Sequence, residues 1–265
     1  MGRNLAERTE IMAFSLDQWH ARYLEQAQWT APLRAFLLQQ LSLPAQARVL
    51  ETGCGTGALF PNRSQLSNYE WYGIDIAPER CAFAQKGNPA AIISCAEGIR
   101  LPFANATFDL TFCHYYLLWM NNAALPALRE MARVTRPGGY VMAMAEPDYA
   151  ARIDFPAETA QLGQLQNSSL QKQGAALDMG RRLPELFRQA GISEIQFGQS
   201  GFQREVTGTP QWLDSEWKVI AQDLADTLPP QEIAHLERLD RQHWQKGSRV
   251  LQIPTFYAYG KVKAE

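Results

Sequence analysis

From about residue 46 to residue 145 the chain alternates short apolar runs with helix-patterned stretches, and this alternation narrows the fold more than any other feature. ARVLETG (47–53), EWYGIDI (70–76), AAIISCAE (90–97), FDLTFCHYY (108–116) and GYVMAMAE (139–146) are apolar at nearly every position, as strands covered on both faces must be. Between them lie LFPNRSQL, PERCAFAQ and NAALPALREMARV, with Pro78 placed to open a helix and Pro137-Gly138-Gly139 to close one. Strands separated by helices pair in parallel through right-handed crossovers. The expected fold class is α/β, a doubly wound, mostly parallel sheet.

Two regions flank this stretch. Residues 10–43 carry apolar side chains at helical spacing, with Trp19, Tyr23 and Trp29 prominent, and Pro32 is placed to open a second helix through Leu33, Phe36, Leu37 and Leu41. Downstream, 156–173 reads as a rather polar amphipathic helix, RRLPELFRQAG as a helix ending at Gly191, and ISEIQFG as a strand. Two further helices fill 209–247, and IPTFYAYGKVKA reads as a final strand. At about 150 residues per domain, 265 residues admit one large unit or two small ones. No linker long enough to separate two units is present, so one sheet domain with helical additions is expected.

Composition narrows the partners. With 25 basic and 27 acidic side chains the net charge is −2, which leaves no basic excess to displace counterions from a phosphate backbone and argues against nucleic acid. No apolar stretch approaches the roughly 18 residues of a membrane span, and MGRNLAERTE lacks the apolar core of a secretory leader. Cys54, Cys81, Cys95 and Cys113 form no C-x-x-C and have no neighbouring His cluster. Neither a disulfide framework nor a metal site is expected, and reduced thiols point to the cytoplasm.

The chemistry begins at VLETGCGTG, where Gly53, Gly55 and Gly57 follow directly on a strand. Glycines there permit a tight turn and let a ligand lie against bare backbone N–H groups. The spacing Gly53-x-Gly55-x-x-Ala58 also satisfies a relaxed dinucleotide fingerprint. Asp75, about 20 residues on at the end of the second strand, stands where a carboxylate accepts both hydroxyls of an adenosine ribose. It also suits the cap of the helix that begins at Pro78. Glu51, two residues before Gly53, discriminates between ligand classes: beside a pyrophosphate its charge is repulsive, whereas beside an ammonium and a sulfonium it is favourable.

ETGCGTG and GIDIAPE, followed by AEGIRLPFANATFDLTFCHYY and LREMARVTRPGGYVMAMAEPDY, together resemble the class I S-adenosylmethionine-dependent methyltransferases. The resemblance covers roughly residues 45–148 and is nearest to the small-molecule branch that includes the ubiquinone/menaquinone C-methyltransferases (the type 11 group). It implies a seven-stranded Rossmann-like sheet and S-adenosylmethionine as cofactor. It puts methionine-side contacts at Glu51 and Gly53, with Gly55 and Gly57 in the same loop, the ribose hydroxyls on Asp75 and the adenine against Ile76. Counting back from Leu101-Pro102-Phe103, the acid facing the adenine amino group falls at Glu97, with Gly98 beside it; many relatives carry Asp-Ala there. His114, opening the loop after the fourth strand, would lie near the methionine end. Tyr23, Gln26 and Trp29 are expected to fold over the cofactor, making 1–44 a helical cover for a methyltransferase domain over 45–265.

Methyl transfer is an in-line displacement, so a protein catalysing it mainly aligns two reactants and excludes water. A base is needed only for a protonated acceptor, and His114 is the candidate because an imidazole titrates near neutrality; a hydrogen-bonded packing role is the alternative. Tyr115, Tyr116, Trp119 and Met120 either line an apolar acceptor pocket, stabilise a methylated cation through ring faces or belong to the core. Glu146 and Asp148 end the fifth strand on the ligand-binding edge of the sheet, where they orient an acceptor or serve the turn at Pro147. Tyr149 and Arg152 are weaker candidates; His20, His235 and His243 read as surface or packing residues. The stretches 150–180 and 209–247, with Trp212, Trp217 and Trp244, either form a lid with the N-terminal helices, build a homodimer surface or thicken the fold. The function expected is methyl transfer to O, N or C of a small organic acceptor. A non-catalytic binder of the same cofactor and a dinucleotide-dependent oxidoreductase are the competing readings.

Overall fold

The computed structural model describes residues 14–60, 69–200 and 209–263. The strands β1 (Arg48–Thr52), β2 (Glu70–Asp75), β3 (Ile92–Cys95), β4 (Phe108–Cys113) and β5 (Thr135–Pro147) form the parallel part of the sheet. Beyond them the chain adds β6 (Ile153–Phe155), β7 (Ile192–Gln199), β8 (Val250–Gln252) and β9 (Thr255–Val262). The seven-stranded sheet has the order β3-β2-β1-β4-β5-β9-β7, with β9 antiparallel to both its neighbours. This Rossmann-like arrangement agrees with the alternation in the sequence. A separate two-stranded ribbon, β6 with β8, has no counterpart in the sequence-based reading.

The apolar runs are strands because both of their faces are covered. Leu110 and Phe112 of β4 and Met142 and Met144 of β5 pack on one face, with Leu33 and Leu37 of α2 (Ala31–Gln39). Cys113, Val141 and Ala143 point the other way, towards α5 (Ala124–Val134) and α7 (Met179–Gln189). This is the two-residue period of a pleated strand. A register irregularity against β9 between Ala143 and Glu146 interrupts it.

Helix ends follow local chemistry. Before α1 (Leu16–Trp29), the Ser15 hydroxyl accepts from the Gln18 N–H at 3.2 Å while Gln18 Oε1 accepts from the Ser15 N–H at 2.8 Å, a reciprocal cap. Pro32 and Pro78 stand in the first turns of α2 and α3 (Pro78–Gly87), as expected. Pro137-Gly138-Gly139, by contrast, does not close a helix. α5 ends earlier, at Val134, and the three residues lie within β5. A residue before proline is biased to extended backbone, and a Cβ on Gly139 would stand 2.9 Å from the Asp109 carbonyl oxygen, so the strand passes its neighbour closely. Most of LFPNRSQL lies outside the described residues.

After α4 (Leu117–Met120) and α5, the chain builds a helical cap. Its elements are α6 (Ala160–Lys172), α8 (Leu213–Leu224) and α9 (Pro230–Gln245), with an apolar centre of Leu162, Leu213, Trp217, Ile220, Leu224, Ile233, Leu236 and Trp244. Buried charges brace it: Arg152 pairs with Asp154 at 2.7 Å, and Arg249 bridges Asp154 and Asp240 at 2.6 and 2.7 Å. No helix among the described residues is long and apolar enough to cross a membrane.

Candidate active site

The parallel strands deliver their C-terminal ends to one edge of the sheet, the edge at which open α/β folds bind ligands. There β1 runs into the glycine loop, folded back by bonds from the Gly53 and Cys54 N–H groups to the Ile74 carbonyl at 2.9 and 2.8 Å. Gly53, Gly55 and Gly57 all have positive φ (75°, 53° and 77°), which side chains rarely tolerate. Asp75 is buried and holds two turns together, its Oδ2 accepting from the Gly55 N–H at 2.9 Å and its Oδ1 from the Ala77 N–H at 3.0 Å. It faces the ligand edge, but it does not cap α3 as the sequence suggested: the N-cap is Ala77, without a side-chain cap bond, and Asp75 braces the turn before it.

A cavity of about 180 Å³ opens beside this loop, lined in part by Gly53, Asp75, Ile76, Glu97, Gly98 and Tyr116. Ile76 is 67% exposed, an apolar surface standing in solvent next to the carboxylate. Ile74, Ala96, Ile99, Met120 and Ala123 complete the wall, and of these only Met120 is a candidate from the sequence. Trp119 is not among the lining residues and is half exposed on the short α4. Gly57 points elsewhere: a Cβ there would stand 2.8 Å from Asn88 Nδ2 and 3.2 Å from Ala84 Cβ, so its bareness serves packing on α3.

Tyr116 covers the loop. A Cβ on Gly53 would lie 2.2 Å from its ring, and one on Gly98 1.9 Å from its hydroxyl. The turn that aims it begins at Tyr115, whose φ of 49° is uncommon for a bulky residue. Glu146 secures that turn from beneath. It is fully buried and accepts three backbone N–H groups, from Tyr116 and Leu117 on Oε1 (3.0 and 2.9 Å) and from Leu118 on Oε2 (3.0 Å). Burial pushes its carboxyl up to about 7 against the pull of those donors. Asp148 is equally buried, bonded to Arg181 and capping the Ala151 N–H. Both acids hold the β5 edge in place by bonds within the protein.

The N-terminal helices close over the loop. Tyr23 reaches within 3.5 Å of the Cβ position of Gly55, and Trp19 stacks on Tyr23 at 5.6 Å. Gln26 is half-buried one turn further on, its carbonyl accepting from the Thr30 hydroxyl. His20, read from sequence as a surface or packing residue, bonds Thr56 of the loop through Nδ1 at 2.9 Å. Trp29 meets Trp212 edge to face, and Arg22 joins Ser215 and Glu216 of α8, so α1 is fastened to the cap.

Two polar groups at the methionine side escape the sequence reading. Thr30 bonds His114 Nε2 at 2.8 Å, and Arg34 Nη1 bonds Thr30 Oγ1 at 2.7 Å. Burial, with the Arg34 charge nearby, pushes the His114 imidazole down to about 3, far from the neutral titration expected of a base. Glu51 is buried and its Oε2 has no hydrogen-bond partner. Burial raises its carboxyl well above the usual carboxylate range, with Arg34 opposing. An unpartnered buried carboxylate oxygen is costly, and a cation placed against it removes that cost. The bare, positive-φ loop, Asp75 at the next strand end and this orphaned oxygen fit S-adenosylmethionine better than a pyrophosphate.

The fold and this edge define a class I, S-adenosylmethionine-binding methyltransferase architecture, and comparison with known proteins agrees. Residues 50–143 match the family described as "Methyltransferase domain". Over 95 residues the chain is 35% identical to a malonyl-[acyl-carrier protein] O-methyltransferase of Erwinia pyrifoliae, covering 36% of each chain. Over 164 residues it is 28% identical to the O-methyltransferase resE of Aspergillus sclerotiorum, covering 60% of this chain and 59% of the relative. The chain thus spans between about a third and three-fifths of these curated relatives. The structure of Haemonchus contortus phosphoethanolamine N-methyltransferase 2 in complex with S-adenosyl-L-methionine superposes with a TM-score of 0.57 at 13% identity, covering 88% of this chain and 53% of that one.

Proposed function

We propose that this protein is a cytoplasmic S-adenosylmethionine-dependent methyltransferase that acts on an oxygen of a small organic acceptor already ionised at that atom, a carboxylate being the best fit. The observation that carries the acceptor reading is the state of His114. Its imidazole is neutral around pH 7, bonded to Thr30 and held far below its ordinary pKa, so it is a weak proton acceptor. Glu146 titrates near 7, but backbone donors occupy its oxygens. An acceptor that arrives as an anion needs neither group as a base. Oxygen is further supported by the names of the two curated relatives, both O-methyltransferases. Four free thiols support the cytoplasm.

When bound, S-adenosylmethionine supplies a methyl group made electrophilic by its sulfonium. The chain's part is binding, alignment and exclusion of water. Asp75 holds the ribose, Ile76 packs on the adenine beside Glu97 and Gly98, and Glu51 balances the cationic end. Tyr116 turns away from Gly53 and Gly98 to admit the nucleoside and, with Tyr115 and Met120, walls the acceptor from solvent. The α1 helix, tied to α8 through Arg22, Glu216 and Ser215, acts as a lid.

An acceptor panel read as a function of pH tests this. Carboxylates are expected to turn over with kcat/KM level between about pH 6 and 8, and His114→Gln to keep turnover within a few-fold. Turnover confined to amines, or a limb near pH 6.5 that His114→Gln abolishes, overturns the acceptor assignment. For the lid, hydrogen exchange should slow in α1 and α8 when S-adenosylhomocysteine is added; unchanged exchange there removes the lid.

A further inference from the structure

Arg34 is a charged feature of the site that neither the motifs nor the relatives' names account for. The pairing of Glu51 with Phe112 across β1 and β4 makes Gly53 and His114, each two residues on, leave the sheet side by side. Thr30, at the junction of α1 and α2, bonds His114, and Arg34 bonds Thr30. The guanidinium is thereby tethered at the methionine side of the loop by Nη1 alone, which also donates to the Ala27 carbonyl. Among the described residues no carboxylate lies within ion-pair distance of it, and no partner is found for Nε or Nη2. Other buried arginines are treated differently: Arg22 pairs with Glu25 and Glu216, and Arg152 with Asp154.

A half-buried guanidinium with open donors therefore shares this corner with a buried carboxylate whose Oε2 is unpartnered. Neither completes the other by a direct bond, although each is close enough to influence the other's charge state. Two opposite charges left short of contact are complementary to a zwitterion lying between them, with its ammonium on the acid and its carboxylate on the base. The planar fork of arginine suits the second contact, since it can meet both oxygens of a carboxylate.

We propose that Arg34 binds the carboxylate of the cofactor's amino-acid end, so that Glu51 and Arg34 together form a receptor for the whole zwitterion. The proposal rests on the cofactor reading above and assigns to α2 a ligand contact as well as its packing role on the sheet. It also explains why Thr30 engages Arg34 and His114 at once: the hydroxyl keeps the guanidinium facing the loop.

Equilibrium binding of three adenosyl compounds tests it without turnover. S-adenosylhomocysteine carries both charges of the amino acid, decarboxylated S-adenosylmethionine keeps the ammonium and the sulfonium without the carboxylate, and 5′-methylthioadenosine has none of these charges. In Arg34→Met the Kd of S-adenosylhomocysteine should rise roughly 10- to 100-fold, as for loss of a charge-assisted pair, while the other two change less than about twofold. Arg34→Lys, which keeps the charge but loses the fork, should fall between. Equal losses for all three ligands, or an unchanged Kd for S-adenosylhomocysteine, overturn the proposal and leave the cofactor reading intact. Failure of the wild-type protein to bind any of the three overturns both. Should Arg34→Met not fold, the wild-type protein still decides: no preference for S-adenosylmethionine over its decarboxylated form, which differ only in the carboxylate, refutes the contact.

Discussion

The cofactor edge and the helical cap are held together by different physics. At the edge, main-chain groups do most of the positioning: the loop is folded by N–H bonds to the Ile74 carbonyl, and Asp75 is gripped by the N–H groups of Gly55 and Ala77. In the cap, side chains hold side chains. Asp240 accepts from the indoles of Trp217 and Trp244 at 3.0 and 3.2 Å and pairs with Arg249, which reaches on to Asp154 and, through it, to Arg152. A main-chain scaffold needs few specific residues, mainly glycines where bare backbone is required. A buried ionic chain depends on each member, because removing one strands its partner's charge in a poor solvent.

The largest expected effect tests that difference. Arg249→Met leaves Asp154 and Asp240 short of a buried partner, at a cost of about 3–5 kcal/mol. Urea unfolding followed by tryptophan fluorescence should show the cap melting ahead of the sheet, with S-adenosylhomocysteine binding still measurable at low urea. A single transition with binding lost in step would show instead that cap and edge form one cooperative unit.

A second prediction concerns pH, and two buried groups give opposite slopes. The native fold holds His114 neutral down to about pH 3, whereas the unfolded chain takes up a proton below about 6.5. Stability therefore falls as pH drops through that window. Glu146 keeps its proton up to about pH 7 in the native state but loses it near 4.5 when unfolded, so its contribution falls as pH rises from 4.5 to 7. Relative to the wild type, His114→Gln should flatten the acid limb by up to about 5 kcal/mol and Glu146→Gln the limb towards neutrality by up to about 3 kcal/mol. Slopes of the same sign in both variants would contradict the assigned burial.

At the edge itself, Asp75→Ala should weaken S-adenosylhomocysteine by about 2 kcal/mol, roughly 30-fold in Kd, through loss of charge-assisted bonds to the ribose. Isothermal titration reads this directly, and a change below threefold would remove the ribose contact. The smallest effect belongs to an exposed pair on the same sheet: Arg48 and Glu70 meet at 3.1 Å with both side chains about half exposed. Arg48→Ala should cost under about 1 kcal/mol in thermal unfolding. A larger loss there would mean that the sheet, like the cap, leans on its ion pairs.

Much of the cofactor edge was legible because its determinants are contiguous. A loop that must bare its backbone needs glycines at set positions, and Gly53, Asp75, Ile76, Glu97 and Gly98 duly line one cavity. Gly57 showed the limit of that logic, since its missing side chain makes room for α3. Glu146 and Asp148 stand at the expected strand end, yet both are spent on internal bonds, which spacing alone cannot reveal. Thr30 and Arg34 sit in stretches whose apolar periodicity reads as ordinary helix packing. Nothing local marks them as facing a loop that begins near residue 53.

By itself, then, the order of residues determined the doubly wound sheet, the edge at which ligand binds and the glycine–acid pattern that selects an adenosyl compound. Periodicity and backbone permissiveness act over a few neighbouring positions, so a linear string carries them. Only the folded chain decided that His114 is neutral and tied to Thr30, that Arg34 joins Thr30 there, and that Arg22 of α1 is bonded to Glu216 of α8. Those outcomes depend on desolvation and on charges brought together from distant segments, quantities that exist only once the packing is complete.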